Sequence, residues 1–208
     1  MKSFIFFLLT SVVLTGYAQS DKYVAAMKKN LELLDSAKTT QDYQTVANTF
    51  ERIGDAEKTQ WLPYYYAGLS LILSGWSDSK LDKDANSMRV DVLCDKAEAL
   101  DKNAEIYLLR NMAATQQMMV DPQTRWQTYG QQASGYLQKA TELDPDNPRI
   151  YYLKGQSIFN TPVSFGGGKE NAKPLFEKSV DLFKKEQPKS LYPRWGKDQA
   201  EMMLAKCQ

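Results

Sequence analysis

The sequence predicts an all-α protein made of antiparallel helix pairs laid side by side, and three observations predict it. Every apolar pattern in the chain recurs with a period near 3.6 residues, and none alternates over the length of a strand. Tyr64-Tyr65-Tyr66-Ala67-Gly68, Tyr107-Leu108-Leu109-Arg110-Asn111 and Tyr151-Tyr152-Leu153-Lys154-Gly155 begin 43 and then 44 residues apart. Downstream, Ala97-Glu98-Ala99-Leu100-Asp101 and Ala140-Thr141-Glu142-Leu143-Asp144 are again 43 apart, so both halves of the unit keep one register. A fixed period of this size is the signature of a repeat architecture.

Residues 1–18 read as a signal peptide. Lys2 supplies a short positive end, Phe4 to Leu14 an apolar run, and Gly16-Tyr17-Ala18 the small residues that precede cleavage. The run spans eleven residues, against the roughly 20 a helix needs to cross a bilayer, so no membrane span is expected after cleavage. No cysteine lies near the cleavage point to carry a lipid, and no Asn-x-Ser/Thr sequon occurs, which favours export into a bacterial periplasm.

Residues 19–60 read as an atypical N-terminal helix pair. Tyr23, Met27, Leu31 and Leu34 form one apolar stripe; Tyr43, Val46, Phe50 and Ile53 form the next, after a Thr39-x-x-Asp42 capping signal. Residues 61–185 carry three repeats with long loops between their helices. Ala133, Leu137 and Ala140, for example, recur at i, i+4 and i+7 before the stop Asp144-Pro145-Asp146-Asn147-Pro148. Residues 186–208 comprise a connecting segment, Gln187-Pro188 to Trp195-Gly196, and a short helix with Ala200, Met203, Leu204 and Cys207 on one side. A stack of repeats needs such a cap over its last exposed face.

The repeat resembles the tetratricopeptide family, best over residues 148–185, where Tyr151, Gly155, Ile158, Ala172, Phe176 and Ser179 fall on the family's signature positions. The resemblance covers residues 61–185 and implies a right-handed superhelix of antiparallel helix pairs, an α-solenoid. The units are 43 to 44 residues long where the family usually has about 34. The loop Phe165-Gly166-Gly167-Gly168-Lys169-Glu170 also resembles that of related bacterial envelope repeat proteins. Gly68 and Gly155 stand where paired helices approach most closely and a Cβ would push them apart. Asn111 stands there in the middle unit, where it either loosens the pair or serves as a cap beside a loop.

In such a stack the first helix of each pair lines the inner surface. Side chains one and five positions after the Tyr64, Tyr107 and Tyr151 anchors then face a groove: Tyr65 with Leu69, Leu108 with Met112, and Tyr152 with Gln156. In family members that clamp a peptide's terminal carboxylate, such positions carry Lys and Asn. Here they are mostly aromatic and apolar, which predicts an apolar partner groove. A second reading makes the same row core shared between repeats, buried under a long loop.

Other chemistry is largely excluded. The 208 residues contain no histidine, which removes Ser-His-Asp triads, Cys-His dyads and imidazole-bound zinc or haem. With 26 basic against 25 acidic side chains there is no cationic excess for nucleic acid. The Gly166-Gly167-Gly168-Lys169 run invites a phosphate cradle, but Val163 and Glu170 stand where that template needs glycine and a hydroxyl. Asp82-x-Asp84-x-Asn86 opens like a calcium loop, yet Ser87 and Leu93 occupy the glycine and bidentate glutamate positions. Cys94 and Cys207 each fall on an apolar stripe, at sites too far apart in a stack for a disulfide. The resulting expectation is an exported, non-catalytic scaffold that binds a protein or peptide and carries no cofactor or metal. The alternative is a small-molecule or solute binder associated with an envelope transporter. No oligomeric state is assigned.

Overall fold

The computed structural model describes residues 21–208, so the expected signal peptide and its cleavage point lie outside the described residues. All regular structure among the described residues is helical. Ten α-helices follow in order among the described residues: α1 (Asp21–Ser36), α2 (Thr40–Glu57), α3 (Leu62–Ser77), α4 (Lys83–Glu98), α5 (Ala104–Val120), α6 (Pro122–Arg125), α7 (Gln131–Leu143), α8 (Pro148–Asn160), α9 (Lys169–Phe183) and α10 (Lys197–Lys206), with a short 3-10 turn at Val163–Phe165. A single π-turn, Trp126–Gly130, joins α6 to α7.

Local chemistry sets the boundaries. Thr39 caps α2 in a reciprocal box: its hydroxyl accepts from the Asp42 amide while the Asp42 carboxylate accepts from the Thr39 amide. Asp82, Asn103, Asp121 and Asn147 accept amide hydrogens at the starts of α4, α5, α6 and α8. Pro63 and Pro148 sit in the first turn of α3 and α8, where no backbone donor is required.

Consecutive helices pack against one another from α1 to α5, α5 packs on α7 and α8 on α9, while α3 also lies against α5 and α10 closes on α9. Contact between α7 and α8 is slight. The core runs through all of these layers, from Tyr23 and Met27 at one end to Phe176, Ala200 and Met203 at the other.

Side chains tie the layers by donating to helix backbone carbonyls. Asn30 reaches Val46, Asn86 reaches Leu71, and Gln116 reaches Ile72, at 2.7 to 3.2 Å. Asn111 belongs to this set: it is buried and its Nδ2 donates to the Ala133 carbonyl at 2.9 Å. The middle pair is thus pinned by an interhelical hydrogen bond, and Asn111 neither caps a helix nor faces a loop. Gly155 does mark a close approach, since a Cβ there would stand 2.6 Å from the Phe176 ring. At Gly68 it would meet Leu109 of the next unit at 3.1 Å.

The glycine loop uses its amides internally: those of Gly166, Gly167 and Gly168 donate to Val163, Pro162 and Ile158. Gly166 and Gly168 have φ of 80° and 97°, and a Cβ on Gly167 would strike the Thr161 carbonyl at 2.0 Å. The glycines build a turn whose amides are already paired. The acidic triplet is likewise occupied: Asp82 caps α4, Asp84 pairs with Arg125, and Asn86 is buried against α3. Both cysteines are free; Cys94 is buried, with its thiol pushed far up by desolvation, while Cys207 is only half-buried.

Candidate functional site

The N-terminal turns of α3, α5 and α8 come together, and the segment between α9 and α10 crosses them. The 44-residue spacing seen in the sequence recurs at this meeting point. Asn103 and Asn147 cap equivalent helices 44 residues apart, and Glu105 and Arg149, two positions before the Tyr107 and Tyr151 anchors, are also 44 apart. These two opposite charges, at one register position, face each other. Leu62 holds that position in the first unit.

Around this pair lies a buried polar network. Asn147 Nδ2 donates to Glu105 Oε1 at 2.7 Å, and Arg149 Nη1 stands 3.5 Å from the same oxygen. The Tyr65 hydroxyl donates to Glu105 Oε2 at 3.1 Å. Arg149, 1% exposed, also reaches Glu186 at 2.5 and 3.4 Å and the Pro193 carbonyl at 2.7 Å. Its guanidinium lies 5.4 and 5.5 Å from the Phe183 and Trp195 ring centres. Burial pushes the Glu105 carboxyl above the usual range, opposed by Arg149, then by the Asn147 and Tyr65 hydrogen bonds.

The crossing segment acts as a strap. The Trp195 indole donates to the Tyr65 hydroxyl at 2.7 Å, the Tyr66 hydroxyl donates to the Leu191 carbonyl at 2.9 Å, and Tyr192 meets Trp61 edge-on. Trp195 also stands edge-on to Tyr152, 6.4 Å between centres. Leu191 takes a left-handed φ of 65°, a local strain of about 1 kcal/mol or more for a side-chain-bearing residue.

This strap accounts for the fate of the expected groove. Tyr65, Leu69, Leu108, Met112 and Tyr152 are all buried, and Gln156 is half-buried. They line no open channel. Trp195 fills the space beside Tyr65 and Tyr152, while Leu69, Leu108 and Met112 lie within the main core. Desolvation pushes the Tyr152 phenol up to about 12, as expected of a ring in the interior. Gln156 hydrogen-bonds Tyr152, which acts in the opposite direction.

What remains open is a cleft of about 350 Å³ at the edge of the strap. Trp61, Ala104, Leu143, Pro188, Tyr192 and Pro193 give it apolar walls. Glu105, Asn147, Arg149 and Glu186 form its polar side, with Asp101, Lys102, Asn103 and Asp144 completing the lining. Its volume falls at the low end of small-ligand sites. A second, shallower depression of about 230 Å³ lies between α1 and α2, beside Lys22, Tyr23 and Arg52.

No protein-family model and no curated protein sequence matches the chain. A solved structure does match: the HusA haemophore from Porphyromonas gingivalis is 36% identical, with a TM-score of 0.83 over 92% of this chain and 95% of that one. The chain belongs to the HusA family. The tetratricopeptide resemblance carries over as an all-helical architecture, without a match to that family's models. No helix among the described residues is long and apolar enough to cross a membrane, and none of their His, Cys, Asp and Glu side chains cluster as a metal site.

Sequence reasoning missed Glu105, Arg149 and Trp195. The first two were visible as opposite charges at one register position. Trp195 was not, because its partner Tyr65 is 130 residues away in the chain.

Proposed function

We propose that this chain is an exported, non-catalytic carrier of haem or a closely related porphyrin, and that the cargo enters the cleft beneath the 187–196 strap. The likeness to the HusA haemophore carries this reading. It favours the small-ligand alternative over a protein or peptide scaffold.

The local chemistry suits an amphipathic cargo. A porphyrin offers a flat apolar face and, at one edge, two carboxylates. The cleft offers aromatic and proline surface beside Lys102 and Arg149. With no histidine in the chain, retention rests on burying the macrocycle and pairing its carboxylates, without imidazole ligation of iron. Displacing the strap would expose Tyr65 and Tyr152, so these two residues of the expected groove become part of a larger site when it opens. The paired-helix stack is read as a superhelical solenoid. Export to the periplasm agrees with the signal peptide read in the sequence.

Haemin titrated into the mature protein tests the reading. Trp61 lines the cleft and Trp195 lies in the strap, so saturable quenching of tryptophan fluorescence together with a shift of the haem absorption band is expected. An absorption spectrum that stays that of free haemin throughout the titration would overturn it.

A further inference from the structure

We infer that Arg149 is the ligand-carboxylate receptor of the cleft, and that Glu186 is an internal carboxylate it holds until a ligand's carboxylate takes its place. The ligand class is a flat apolar molecule with a carboxylate at its edge; the identification of its natural member as haem rests on the function proposed above.

Four observations lead to this exchange. Arg149 is almost wholly buried, yet it lines the cleft. A buried guanidinium must keep a carboxylate partner, because breaking such a pair leaves an uncompensated charge. Replacing one carboxylate by another preserves the pairing, so this exchange costs far less than opening the pair. Arg149 engages Glu186 through both terminal nitrogens, the two-point geometry that any carboxylate can reproduce.

Glu186 is also the exchangeable partner. Glu105 is fixed from three sides, by Asn147, Tyr65 and Arg149. Glu186 lies past the end of α9 in irregular chain, its side chain is 24% exposed, and among the described residues only Arg149 is bonded to its carboxylate. Finally, the Arg149 Nε is buried without a hydrogen-bond partner. A guanidinium has five donors, so this one retains capacity that its present neighbours leave unused.

The consequence reaches the strap. Glu186 opens the segment whose far end, Pro193 to Trp195, also touches Arg149. A ligand carboxylate that displaces Glu186 loosens the strap at its root and uncovers the aromatic surface of Tyr65 and Tyr152. Recognition of the acid group and access for the apolar body are thereby coupled.

The test compares acids with their esters on wild type and on Glu186→Gln, which leaves Arg149 in place and removes only its internal competitor. Haemin and haemin dimethyl ester form one pair of probes; pyrenebutyrate and its methyl ester form a second that contains no porphyrin. The expected result is that Glu186→Gln binds each acid about tenfold more tightly than wild type, a gain of about 1.4 kcal/mol, and leaves the esters unchanged. Equal binding of haemin and its diester, with no effect of Glu186→Gln on either acid, overturns the exchange and leaves the haem reading standing. Binding of pyrenebutyrate with the Glu186→Gln gain, but no binding of haemin, supports the exchange and defeats the haem reading. If neither acid binds either protein, both fail.

Discussion

Trp195 donates its indole hydrogen to the Tyr65 hydroxyl at 2.7 Å, joining the strap to the first turn of α3 across 130 residues. Tyr65 in turn donates to Glu105. One hydroxyl therefore links the covering segment to the buried ion pair. Replacing Trp195 by Phe keeps an aromatic ring and removes that donor. A loss of about 1 kcal/mol is expected by urea unfolding, with larger exposure of the strap to proteolysis.

Arg149→Met is expected to cost about 3 to 5 kcal/mol, since it strands Glu105 in the interior without its cation. Adding Glu105→Gln should recover much of that loss. A double-mutant cycle by denaturant unfolding measures the coupling, and additive costs would show that the two residues do not act as a pair.

The Glu105 carboxyl also sets a pH dependence. Burial raises its folded-state value, so the folded protein holds this proton more tightly than the unfolded chain. Its contribution is present below the unfolded value near 4.5 and is lost as pH rises through the raised folded value. Wild type should therefore lose stability relative to Glu105→Gln as pH climbs through that window. Denaturation of both proteins at a series of pH values checks the sign.

Much of this fold was legible in advance, for a physical reason. Helix position follows from local periodicity and caps: the Tyr64, Tyr107 and Tyr151 anchors lie in α3, α5 and α8, and Thr39 with Asp42 caps α2. The site was less legible because register alone does not say what lies opposite. Positions 65 and 152 admit two readings in the sequence, a groove on an open inner face or core buried under a long segment, and register does not choose between them; both are buried, with Trp195 against each. Asn111 at a glycine position reads from sequence as either a loosened pair or a cap beside a loop; its amide instead donates to a backbone carbonyl in the neighbouring helix.

Gly155→Ala separates local propensity from packing. Alanine in an exposed helix gains about 1 kcal/mol over glycine. Here the added Cβ meets the Phe176 ring at 2.6 Å, and a net loss of about 1 to 3 kcal/mol is expected. Thermal unfolding of the variant checks it, and a higher melting temperature would contradict the close approach of α8 and α9.

The central claim is that cargo enters beneath the strap. Amide hydrogen exchange with and without haemin tests it most directly. The account predicts that haemin changes exchange in residues 187–196 and in the first turns of α3, α5 and α8, leaving α1 and α2 as they were. Saturable haemin binding with those regions unchanged, and with protection instead at the α1–α2 depression or around the exposed Val163 and Phe165, would contradict it.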